Sequence, residues 1–174
     1  WSAAIGETRL YTVAQGSLSV WTLGSSVRKE VSIALQVEPP ITLSPDGTRL
    51  ALGGKAGEIE VRSTSPPFSV LAARKGVWSR ENHPGKYRAG PAFSADSRIL
   101  AVTQGHDVSL WDTGTDTWRG PLVRPAHGGT SPWSSEPTFS SDGRTVRISD
   151  TNCVVWSFDV NTLAAVGAAS ICDT

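Results

Sequence analysis

The side chains best able to do chemistry in this 174-residue chain are three histidines (His83, His106 and His127), two cysteines (Cys153 and Cys172) and the aspartates Asp96, Asp142 and Asp150. Zinc needs three or four Cys, His or carboxylate ligands converging tetrahedrally, commonly from close sequence pairs. The histidines lie more than twenty residues apart, so no metal is expected. Asp112 and Asp116 flank Thr113-Gly114-Thr115 in a way that hints at calcium, but the third ligand position and the terminal Glu of an EF-hand loop are missing. A solvated turn is the expectation there. Gly53-Gly54-Lys55 lacks both the spacing of a phosphate loop and its following Ser or Thr, and no Gly-x-Ser-x-Gly elbow occurs. Asp96, Asp142 and Asp150 are expected to cap turns or bond buried partners, with no catalytic residue and no cofactor.

Binding chemistry is more legible. The window 74–90 carries five basic residues against the single Glu81, with Trp78 and Tyr87 between them, and is the most basic stretch of the chain. A second window, 124–136, holds Pro125, His127, Trp133 and two adjacent glycines. Aromatics flanked by guanidinium groups supply apolar area plus directional charge, the usual make-up of an interface hot spot. The residues expected to meet a partner are Arg74, Lys75, Trp78, Arg80, Lys86, Tyr87, Arg124 and Trp133. The same mixture suits nucleic acid, where phosphate contacts and base stacking combine. Sixteen basic residues balance sixteen acidic ones, however, so no global field draws the chain to a polyanion, and a protein or peptide ligand is preferred.

With 39% apolar residues the chain can bury a core in one domain, 1–174. The longest apolar run, 163–169, is too short to span a bilayer, and the N-terminus lacks a basic region followed by a long apolar stretch. No membrane association is expected. The absence of Met points to a piece of a longer polypeptide or a processed product. Two cysteines do not make a disulfide framework, and each is read as a small buried apolar residue, with a disulfide as the alternative. With no N-glycosylation sequon, a cytoplasmic location is expected.

The elements that must carry these residues repeat. Ile41-Thr-Leu-Ser-Pro-Asp46-Gly-Thr-Arg-Leu50-Ala-Leu recurs as Ala92-Phe-Ser-Ala-Asp96-Ser-Arg-Ile-Leu100-Ala-Val and as Thr138-Phe-Ser-Ser-Asp142-Gly-Arg-Thr-Val146-Arg-Ile, with a weaker copy around Arg9-Leu10. Aligning Leu10, Leu50, Leu100 and Val146 gives spacings of 40, 50 and 46 residues; a second landmark at Trp21, Arg62, Trp111 and Trp156 gives 41, 49 and 45. Periods of this size signal a repeat architecture. Each unit reads as four short strands joined by tight turns, in the third repeat about 89–93, 99–103, 108–111 and 118–123. The chain is therefore all-β.

Phe93-Ser94-Ala95-Asp96 and Val108-Ser109-Leu110-Trp111-Asp112 resemble the WD repeat, whose blades are four-stranded antiparallel sheets of a β-propeller. The resemblance covers the whole chain and implies four blades, near 1–37, 38–73, 88–123 and 136–171, with long connections at 74–90 and 124–136. One copy keeps Trp-Asp; the others end Trp21-Thr22, Arg62-Ser63 and Trp156-Ser157. The family's buried His, Ser/Thr, Asp and Trp network maps onto His127, Ser149, Asp150 and Trp156, and in part onto His83, Thr103 and Trp111. Trp156-Ser-Phe-Asp159-Val-Asn-Thr-Leu163 followed by Ala169-Ser-Ile-Cys172 is similar to the last blade of propellers that end large bacterial signalling NTPases of the STAND type, and twelve arginines to four lysines suit such bacteria. Family rings commonly need about seven blades, so four imply a partial propeller or open arc whose blade edges invite self-association. The implied function is a non-catalytic interaction or ligand-sensing scaffold using inter-blade loops. The alternative is a fragment of a propeller-containing hydrolase or NTPase whose catalytic residues lie elsewhere.

Overall fold

In a computed structural model, residues 2–54, 58–75, 90–104, 107–123, 125, 133 and 135–171 are described, and all regular structure among them is antiparallel β-strand. None of the described residues forms a helix long and apolar enough to cross a membrane. The chain divides into two compact units, 1–80 and 81–174.

The first unit is a seven-stranded sheet in chain order: β1 Ser2–Ile5, β2 Arg9–Ala14, β3 Gly16–Thr22, β4 Arg28–Leu43, β5 Arg49–Gly54, β6 Ile59–Ser63 and β7 Val70–Arg74. It consists of two four-stranded sets that share β4. The first part of β4 pairs with β3 from Thr22↔Arg28 to Ser17↔Ala34; the second pairs with β5 from Val37↔Gly54 to Leu43↔Leu50. Val37 is the pivot, paired with Gly16 on one side and Gly54 on the other. The strand changes partner there because the backbone bends: Gln36 has a φ of 56°, and the pairing with β5 skips a step at Pro39 and Pro40. Period-two alternation puts Tyr11 and Val13 of β2, Leu18 and Val20 of β3, and Leu50 and Leu52 of β5 into one core with Ile41 and Phe68.

The second unit holds two four-stranded sheets. One runs β11-β10-β9-β8, from β8 Ala92–Phe93, β9 Ile99–Gln104, β10 Asp107–Asp112 and β11 Thr117–Arg119; the other runs β12 Thr138–Phe139, β13 Thr145–Ser149, β14 Val154–Asp159 and β15 Ala165–Ser170. Val108 and Leu110 of β10 share a core with Val146 and Ile148 of β13 and Trp156 and Phe158 of β14. The molecule is thus all-β, with four four-stranded antiparallel sets.

Three tight turns explain why the strands reverse where they do. Ser44, Ser94 and Ser140 each donate a hydroxyl hydrogen bond of 2.5–2.6 Å to Oδ1 of Asp46, Asp96 and Asp142. The same Oδ1 accepts the backbone N–H two residues on, from Thr48, Arg98 and Arg144, while the serine Oγ accepts the N–H of Arg49, Ile99 and Thr145. One Ser and one Asp thereby satisfy the orphan donors of a reversal, which is why these residue types occur at turns.

Two features escape the sequence pattern. β4, β7 and β15 each carry a bulge that leaves one residue unopposed, Glu30, Leu71 and Val166 respectively. The strand register also revises the second landmark. Leu10 faces Trp21, Leu50 faces Arg62 and Leu100 faces Trp111, but Val146 faces Phe158, and Trp156 faces Ile148. The positional equivalent of Trp111 in the last repeat is Phe158. A two-residue shift keeps a side chain on the same sheet face, so spacing alone does not reveal it.

Candidate functional site

The carboxylates that looked most regular in sequence are occupied by the protein's own donors. Besides the turn aspartates, Asp150 is 2% exposed; its Oδ2 accepts the Trp156 indole N–H (3.0 Å) and its Oδ1 the backbone N–H groups of Asn152 (2.9 Å) and Val154 (3.1 Å). Asp112 Oδ1 accepts Gly114 and Thr115 N–H, and Asp116 accepts the Trp111 indole N–H at 2.9 Å. Among the described residues no three His, Cys, Asp or Glu side chains gather around a common point.

The expected network residues separate accordingly. Asp150 and Trp156 meet directly. Trp111 does not join Thr103: an indole has one N–H, and that of Trp111 goes to the β10–β11 turn. Thr103 is buried on β9, and the backbone N–H of Ser149 donates to Ser135 Oγ at 2.9 Å. His83, His106 and His127 lie outside the described residues.

Of the residues expected to bind a partner, Arg74 is half-buried at the end of β7 and Lys75 is exposed just beyond it. Trp78, Arg80, Lys86, Tyr87 and Arg124 lie outside the described residues. Trp133 does not belong to a binding surface. It is 3% exposed, pairs by an isolated bridge with Asp150, and meets Phe158 edge-on at 5.9 Å, because so large an apolar ring is most stable in the core of the second unit.

Cys153 also departs from expectation. It is a half-buried residue of the β13–β14 turn, with a φ of 62°, and is disulfide-bonded; its carbonyl accepts the N–H of Ile171 at 2.8 Å. Held in a turn, its sulfur forms a covalent link and does not serve as an apolar filler. The other cysteine of the chain, Cys172, lies outside the described residues.

Electrostatics reinforce the turns. Arg98 places Nε and Nη2 at 2.9 and 2.7 Å from Asp112 Oδ2. That hydrogen bond, helped by the N–H groups of Thr115 and Gly114, holds the Asp112 carboxyl well below the usual range, at about 2. Asp142 is lowered by the Ser140 hydroxyl and Asp159 by the backbone N–H of Thr162. A depressed folded-state value adds stability above the unfolded value of 3.8 and loses it as pH falls through about 2. In thermal melts Arg98→Gln is therefore expected to melt below the parent at neutral pH, with the difference shrinking below about pH 4 and vanishing only below about pH 2. A pH-independent difference would mean that Arg98 acts by packing alone.

The concavity that sequence reasoning missed lies in the first unit, between its two four-stranded sets. It is an open cleft of about 1000 Å³. Glu7 and Thr8 of the β1–β2 turn, Arg9, Thr22, Glu30 and the Ser44–Gly47 turn wall it, and Tyr11 and Thr64 line its depth. Arg9 Nη2 lies 3.3 Å from Glu30 Oε2, and the Thr22 hydroxyl donates to Glu30 Oε1. Glu30 is the bulged residue of β4, displaced from its pair, and no hydrophobic pattern marks that displacement.

No protein-family model matches the chain, and no curated protein matches it.

Proposed function

We propose that the chain is a non-catalytic scaffold of the WD-repeat kind that binds a protein or peptide at its strand-end surfaces. The observation that carries this reading is the open, mixed polar and apolar cleft of about 1000 Å³ beside the Ser44–Gly47 turn, whose Asp46 carboxylate is already hydrogen-bonded. A general acid or base needs a carboxyl free to exchange its proton with a substrate. Asp46, Asp96, Asp142 and Asp150 instead accept two or more bonds each from nearby groups, which supports binding over catalysis. The repeated Ser-Asp turns and four-stranded sets support the WD reading.

The basic 74–90 connection begins at the opposite end of the strands from the cleft: Arg74 faces Ile59, whereas the cleft lies at the Ser44 and Thr64 end. It forms the second contact surface of the proposal. The outer edges of β7 and β15 suit self-association, although the bulges at Leu71 and Val166 blunt both. For compartment, the disulfide at Cys153 favours an oxidising environment over the cytoplasm that free thiols would suit.

The test is affinity capture on the full chain with quantitative mass spectrometry. A stoichiometric partner is expected, and Trp78→Ala combined with Arg80→Ala and Lys86→Ala should cut its recovery at least about tenfold with an unchanged melting temperature. Full recovery by the triple variant would remove the connection from the proposal, and absence of any stoichiometric partner would overturn the scaffold reading.

A further inference from the structure

We infer that the cleft of the first unit receives an arginine side chain presented by an extended peptide. The inference deepens the scaffold reading and rests on it. Three carboxylates, Glu7, Glu30 and Asp46, line the cleft against the single guanidinium of Arg9. Two of them already have partners: Glu30 is held by Arg9 and Thr22, and Asp46 by Ser44 and Thr48. Glu7 is different. It stands exposed at the tip of the β1–β2 turn, which lacks the Ser-Asp pair of the β4–β5, β8–β9 and β12–β13 turns; Gly6 N–H donates to the Arg9 carbonyl there (2.8 Å), and the Glu7 carboxylate makes no bond with any described residue.

Tyr11 points independently to a ligand. Its side chain is buried in the core of the first unit, with the residue only 3% exposed, yet it lines the cleft and its hydroxyl makes no hydrogen bond with any described residue. The ring is enclosed but the hydroxyl oxygen itself is not, so it opens to the cleft and presents one donor and one acceptor to whatever enters. A Phe would fill the same core position without that polar tip.

The charge excess selects a cation, and the geometry favours guanidinium over ammonium. Arginine presents five N–H donors in a planar fork, so one head can engage the Glu7 carboxylate at the rim and the Tyr11 oxygen at depth together. Ile5, exposed at 69%, and the half-buried Leu43 offer apolar contact to its methylene stem.

The capped peptide Ac-Gly-Arg-Gly-NH2 titrated into the ¹⁵N-labelled full chain tests this. Saturable amide shifts are expected at Gly6, Glu7, Thr8, Arg9 and Gly47, with a dissociation constant of about 1 mM for so small a ligand. Ac-Gly-Glu-Gly-NH2 should leave those signals unmoved. Glu7→Gln should weaken binding about tenfold and Tyr11→Phe about three- to tenfold, as expected for lost hydrogen bonds to a charged group. Neither variant should lower the melting temperature, since neither side-chain group bonds within the fold. No saturable shift up to about 20 mM peptide, or equal affinity in both variants, would overturn the inference. If a captured partner is held equally by the parent and both variants, the scaffold reading survives and the arginine site falls. If peptide binds as expected but no partner is ever captured, the site stands and the scaffold reading falls.

Discussion

Asp150→Ala is expected to destabilise the protein by about 3 kcal/mol, a drop of roughly 6–12 °C in melting temperature for a chain of this size. Asp150 is 2% exposed and joins three donors: the Trp156 indole and the backbone N–H groups of Asn152 and Val154. Truncation leaves them without their acceptor. The Trp156 indole is the most costly of the three, because Trp156 is 8% exposed and packs in the core of the second unit, where water cannot easily replace the carboxylate. The Asn152 end lies in an exposed turn, so that N–H regains water and the loss stays below the sum of three buried bonds. Asp150→Asn should fall between parent and alanine, since a carboxamide keeps one acceptor oxygen and sets an NH₂ against the other donors. Urea melts of the three proteins check the order. Equal stability of parent and alanine variants would mean that this junction contributes nothing to holding the last sheet together.

Gly120→Ala is expected to cost about 2–4 kcal/mol, against about 1 kcal/mol for Gly47→Ala. Both glycines have positive φ, 138° and 70°. At Gly47 an added Cβ meets nothing within 4 Å, so only the backbone preference is lost. At Gly120 it would sit 2.8 Å from Ser109 Oγ and 3.0 Å from Ser109 Cα. Ser109 is 4% exposed in the central strand β10, and the chain just past Gly120 is tied to that strand by Leu122 N–H donating to the Val108 carbonyl at 2.7 Å. Neither side can retreat. A Gly120→Ala loss no larger than that of Gly47→Ala would show that the segment after β11 can move away from Ser109. Chemical denaturation of the two variants side by side makes the comparison.

Much of the fold could be read directly from residue types. Ser44 and Asp46, Ser94 and Asp96, and Ser140 and Asp142 form the same turn in three repeats because the hydrogen bonds involved reach no further than five residues. Alternation over β2, β3 and β13 likewise depends only on the period-two pleat. The Trp landmark misaligned at Trp156 for the converse reason: two residues along a strand is an invisible step for a pattern that reads faces, and only the pairing of Val146 with Phe158 exposes it.

The candidate site was legible only in part. The basic connection announced itself by composition, yet Trp133, grouped with it for its chemistry, went to the core beside Phe158, because a bulky ring in a loop can lower its free energy by folding inward. The cleft gave no signal at all. Glu7, Tyr11, Glu30 and Asp46 are separated by up to 39 residues and are joined by the fold of one continuous sheet about Val37, with a bulge turning Glu30 out of its pair.

What the sequence determined by itself was therefore local and periodic: the strands, their Ser-Asp reversals, the fourfold repeat and the all-β class, each set by interactions spanning a few residues or by a face that must be buried. What the tertiary structure decided was which side chains from different strands share a space: Asp150 with Trp156, Gly120 against Ser109, and Glu7 with Tyr11 across one cleft. Those meetings depend on strand register, bulges and the bend at Gln36, which are set by the joint packing of many residues and leave no pattern in any one segment.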